Sequence, residues 1–94
     1  MQRQDLVERY EAGERDFSGV DLNRVDLSRA FLAGVDLSEA SLVMANLSEA
    51  GLKGADLNFA DLSNATMTEA DLSQASLRGA NLCWAKLNAT VLYQ

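Results

Sequence analysis

The sequence predicts an all-β solenoid, a chain wound into short stacked coils behind a small helical cap. Two observations predict it. A large apolar residue stands at every fifth position sixteen times in succession, from Phe17, Leu22, Leu27 and Leu32 to Leu92, with Met67 among them. Two residues before each centre the side chain is small, alanine in eleven cases and valine in three (Val20, Val25, Val35). Only Arg15 and Thr90, at the two ends, break that rule. A repeat this regular is read before any secondary structure.

A period of five fits neither regular element. Five residues advance about 500° on an α-helix, so the leucines would spiral around every side. On a straight strand five is odd, so they would alternate between faces. A strand interrupted by a turn in every repeat resolves this. In Ala55-Asp56-Leu57 the alanine and leucine point one way and the aspartate the other. The next two residues, such as Ser38-Glu39 or Ser73-Gln74, are polar turn formers. Small and large residues then face an axis and the other three positions face water. No single coil encloses a core, so each must stack on its neighbours, ~4.8 Å apart. The handedness of parallel strand connections predicts a right-handed wind. Spacing alone leaves the number of repeats per coil open.

The run Ala-Asp/Asn-Leu-x-x, as in Ala45-Asn46-Leu47-Ser48-Glu49, resembles the pentapeptide-repeat family over residues 15–94. The resemblance implies a right-handed quadrilateral β-helix with four repeats per coil. Residues 15–94 then form four coils, 15–34, 35–54, 55–74 and 75–94, with residues 1–14 as an N-terminal cap. It also implies that no enzymatic activity is shared, that some members join end to end through their C-terminal ends, and that some longer members mimic duplex DNA and bind type II topoisomerases. Fold membership transfers little beyond that.

Within the cap, Asp5 followed by Glu8 gives a start like a capping box, and Gly13 a stop. The helix predicted is Asp5–Ala12, with Leu6, Val7 and Tyr10 on one face, covering the first coil near Phe17. The C-terminus continues the repeat to Gln94 with no capping segment. The fourth coil carries the densest set of outward apolar residues. A homodimer joined through this coil is therefore expected, with Leu82, Cys83, Trp84, Leu87, Val91, Leu92 and Tyr93 as the candidate interface.

Composition excludes most chemistry. The chain has 94 residues, no histidine and one cysteine. No Ser-His-Asp triad, Cys-His pair, histidine-ligated metal, internal disulfide or four-cysteine site can form. No cofactor and no catalytic residues are expected. A net charge of −6 argues against binding nucleic acid directly. No run of 18 apolar residues and no signal-peptide stretch is present, so the expectation is a cytoplasmic protein off the membrane.

Three candidate sites remain. The carboxylates Asp16, Asp36 and Asp56 form a column that Ser76 ends; a cation could sit there, but side chains bonding backbone amides at the turns is the favoured reading. An acidic surface could imitate duplex DNA, yet Arg24, Arg29, Lys53, Arg78 and Lys86 interrupt it. A protein partner could use the outward Phe31, Val43, Met44, Phe59 and Trp84. The reading adopted is a non-catalytic structural or interaction protein that self-associates through its C-terminal coil. An unidentified protein partner and topoisomerase-directed DNA mimicry are the alternatives.

Overall fold

The structure, a computed structural model, describes residues 1–92. One helix, α1 (Arg3–Glu11), precedes a run of isolated parallel β-bridges. The bridges pair residues twenty apart, from Asp16 with Asp36 to Asp71 with Val91. Four five-residue repeats therefore close one coil.

Each coil is tied to the next by three kinds of backbone bond. The central residue donates its N–H to the residue nineteen on, as Leu37 does to the Asp56 carbonyl at 2.8 Å. The residue at the turn's third position does likewise, Glu39 to the Asn58 carbonyl at 2.9 Å. The residue before the centre donates backwards, Asp56 to the Val35 carbonyl at 2.9 Å. Almost no bond of this ladder joins residues close in sequence. The one local bond closes each turn, as from the Ala40 amide to the Leu37 carbonyl at 3.1 Å.

The turns explain how five residues suffice for one side of the square. Every turn from Gly19 to Ala89 has its third residue at positive φ, the conformation of a type II turn. Glycine holds four of these positions, Gly19, Gly34, Gly54 and Gly79; the other eleven carry side chains, among them Arg24, Glu39, Phe59 and Trp84. Such a conformation costs about 1–2 kcal/mol per non-glycine residue. The inter-coil ladder holds the chain there.

The core fills the axis. Phe17, Leu37 and Leu57 form one inward column, and Leu22, Leu42 and Leu62 the next, all at most 1 % exposed. The alanines at 40, 45, 50, 55, 60, 65 and 70 interleave with them and are equally buried. In the last coil Leu77, Leu82 and Leu87 are only partly buried, and Leu92 is 53 % exposed.

α1 differs from the expected Asp5–Ala12 at its start. It begins at Arg3, its N-cap Gln2 makes no side-chain bond, and no capping box forms. The reason lies in the first coil: Arg3 is held there by the carbonyls of Asp26 and Ser28, at 2.9 and 3.0 Å. Asp5 sits in the first turn instead, where a carboxylate suits the helix dipole. The helix ends at Glu11, one residue before the expected Ala12, which is its C-cap; the stop at Gly13 is as expected, with φ 103° and its amide bonded to the Tyr10 carbonyl. Leu6 and Tyr10 are buried against the first coil, while Val7 is half-buried.

Two tests follow. Leu57→Ala should cost about 2–5 kcal/mol in denaturant unfolding, whereas Leu92→Ala should cost well under half of that. Gly54 and Gly79 share the same φ, but a Cβ on Gly79 would lie 2.5 Å from the Phe59 ring and one on Gly54 would meet nothing. Gly79→Ala should therefore destabilise more than Gly54→Ala, and in a Phe59→Ala background the excess should vanish.

Candidate functional site: the two ends and the polar columns

The polar residue before each centre has a definite task. In all nine repeats where it is Asp or Asn, its Oδ1 accepts the backbone N–H two residues on, at 2.9–3.1 Å. Asp16, Asp36 and Asp56 each cap their own turn in this way. The column that looked like a cation site is thus a set of turn caps, as local Asx bonding predicts. No cluster that could hold a metal ion occurs among the described residues.

Serine adds a second bond. The Ser18, Ser28 and Ser73 hydroxyls donate to Asp16, Asp26 and Asp71 at 2.7, 2.6 and 2.7 Å. These hydroxyls foremost, and then the serine amides, hold the three carboxyls below their ordinary value of 3.8. Where serine replaces the aspartate, the coil below supplies the cap. Asn23 reaches up to the Val43 amide and the Ser41 hydroxyl, and Asn58 to the Arg78 amide and the Ser76 hydroxyl. Sequence reasoning missed this exchange, although an asparagine eighteen residues before the serine, in the neighbouring column of the coil below, is its visible signal.

The outward aromatic residues are placed singly. Phe31 is 72 % exposed and meets Tyr10 edge to face at 6.4 Å. A Cβ on Gly51 would lie 3.3 Å from the Phe31 ring, so that ring lies over a glycine in the next coil, as Phe59 lies over Gly79. Both rings cover backbone where a side chain is missing. Met44 and Trp84 are exposed, with no aromatic partner for Trp84 among the described residues. On the surface Arg29 pairs with Glu49 at 3.1 Å, one coil above it.

The expected interface residues fall on the last coil. Leu82 and Leu87 face the axis and are partly buried. Cys83 is an exposed free thiol, Trp84 is 86 % exposed and Val91 is half-buried. Tyr93 lies outside the described residues. The amides of Leu77, Gly79, Leu82, Trp84, Leu87 and Ala89 occupy the positions that donate upward in every lower coil, and among the described residues they find no acceptor. A shallow concavity lined by Gln74, Ala75, Ser76, Leu77 and Arg78 opens at the start of this coil. The site is thus an apolar patch rimmed by backbone donors that are unpaired among the described residues.

Pentapeptide repeats match residues 16–54 and 50–88 in eight copies. The chain belongs to the pentapeptide-repeat family. Its fold is accordingly the family's right-handed β-helix solenoid. It is similar to alr5209, a pentapeptide repeat protein of Nostoc PCC 7120, at 45% identity and a TM-score of 0.93, over 95% of this chain and 74% of that one. A pentapeptide repeat protein of the Arabidopsis thaliana thylakoid lumen is 36% identical with a TM-score of 0.78, over 80% of this chain and 52% of the other. HetL of Nostoc, involved in heterocyst differentiation regulation, is 39% identical with a TM-score of 0.50, over 96% of this chain and 40% of its own length. No curated protein matches the sequence.

The lowered carboxyls make an acid prediction. Because Asp16, Asp26 and Asp71 hold their protons less tightly folded than unfolded, their contribution is fully present above pH 3.8. It is lost as pH falls through the lower folded-state values. Ser28→Ala should raise the Asp26 titration midpoint, read by carboxyl NMR, and shrink this loss; an unmoved midpoint would contradict the assignment.

Proposed function

We propose that this pentapeptide-repeat chain is a non-catalytic interaction scaffold that pairs with a second copy through its C-terminal coil. The observation that carries the reading is the contrast between the two ends. At the first coil Phe17, Leu22, Leu27 and Leu32 are at most 1 % exposed beneath α1. At the last, Leu77, Leu82 and Leu87 are partly open and Leu92 largely so. Apolar surface beside an unpaired β edge favours association. The absence of histidine from the sequence and the filled axis support the non-catalytic part. DNA mimicry is the weaker reading, since Arg29, Lys53, Arg78 and Lys86 break the acidic surface and Arg29 is paired across coils.

Sedimentation velocity across a concentration series tests this. The expected result is a reversible species of twice the chain mass, reduced to one chain by Leu92→Lys with an unchanged circular dichroism spectrum. A wild-type chain that stays single at the highest concentration reached would contradict it.

A further inference from the structure

The ends differ in hydrogen bonding as well as in cover. Between coils, the carbonyls before and after each centre accept amides from the coil below: Leu27 donates to Asn46, Arg29 to Ser48 and Gly34 to Lys53, at 2.7, 2.9 and 2.9 Å. Among the described residues no coil lies below the first one. The equivalent carbonyls there are Asp26, Ser28 and Ala33. Arg3 Nη1 donates to the first two, at 2.9 and 3.0 Å, and the Tyr10 hydroxyl to the third, at 2.6 Å. The Met1 amine similarly meets the Asp21 carbonyl at 2.8 Å. Side chains of α1 thus stand where the N–H groups of a preceding coil would stand. The carbonyls of Asp16, Ser18, Asn23 and Phe31 complete the set, without partners among the described residues.

The last coil offers the matching donors. The Leu87 and Ala89 amides are unpaired among the described residues and lie three coils above Leu27 and Arg29. Stacked under the first coil of another copy, they would meet the Asp26 and Ser28 carbonyls, one twenty-residue step on. That contact joins two different surfaces and continues the solenoid axis, so it does not close on itself and would build a filament.

We propose that α1 is a stacking block whose Arg3 occupies the first-coil carbonyls that the Leu87 and Ala89 amides of a second copy would otherwise take, with Tyr10 holding the neighbouring Ala33 carbonyl. Leu6 and Tyr10 add an apolar lid over the same edge. Self-association is thereby restricted to the C-terminal coil and ends at two copies. This deepens the self-association reading above and rests on it for the adhesiveness of the last coil.

The test is sedimentation velocity with electron microscopy on the full chain and three variants. Leu6→Asp places a charge at a fully buried position and undocks α1. Arg3→Met/Tyr10→Phe removes the two side-chain donors and keeps the apolar lid. Leu6→Asp/Leu87→Asp also spoils the last coil. Leu6→Asp is expected to form species heavier than two chains that grow with concentration into fibres one solenoid wide. The donor-deleted variant should do so more weakly, and the Leu87→Asp combination should abolish it. A folded Leu6→Asp chain that stays at one or two copies overturns the proposal, as do assemblies that survive Leu87→Asp. If Leu6→Asp proves unfolded by circular dichroism, the donor-deleted variant decides by the same masses: heavier than wild type supports the block, and unchanged overturns it. A wild type that stays single while Leu6→Asp polymerises removes the two-copy reading alone. A wild-type pair with a non-polymerising, folded Leu6→Asp removes this one alone.

Discussion

The structure depends on one hydrogen bond, repeated: a central residue's amide to the carbonyl nineteen residues on. Each such bond contributes on the order of 1 kcal/mol net. Together they fix the coil at twenty residues, which sets which side chains stack. Leu37 sits over Phe17, Asp36 over Asp16 and Glu39 over Gly19 because the amides of Phe17, Asp36 and Gly19 are bonded across the gap. The same bonds hold eleven non-glycine residues at positive φ in the turns. A conformation disfavoured residue by residue persists because its neighbours above and below over-determine it.

A fold held this way is only as complete as its ends. Inner coils satisfy one another, so Leu42, Leu47, Leu52 and Leu62 are fully buried and need no further device. The first coil borrows donors from α1, and the last keeps six amides free among the described residues. The bland sides of the square, with turn-capping aspartates and singly placed aromatics, contrast with this asymmetry. Unpaired backbone groups are therefore concentrated at the two ends of the axis rather than around it, among the described residues.

Much of this was legible in the sequence because the information is periodic. The leucine register gave the inward columns, and the alanine two residues earlier gave the second inward position; both hold through Leu72. The turn-capping reading of Asp16, Asp36 and Asp56 came from the same pattern and matches the Asx bonds. What the sequence concealed was contact between columns and ends. Asn23 capping Val43 depends on a neighbour twenty residues away. The start of α1 was misplaced because Arg3 is fixed by Asp26 and Ser28 rather than by a local capping box. Positive φ at Arg24, Glu39 or Trp84 was invisible because nothing in those residue types asks for it.

Amide hydrogen exchange, resolved residue by residue and followed over protein concentration, tests the central claim most directly. In dilute solution the account predicts slow exchange at Leu37, Leu42, Leu47 and Leu52 and fast exchange at Leu77, Gly79, Leu82, Trp84, Leu87 and Ala89. On concentration, protection should rise in that last group while the inner coils stay as they were. Protection of the six amides that is already high in dilute solution, or that stays low as two-copy species form, would contradict it.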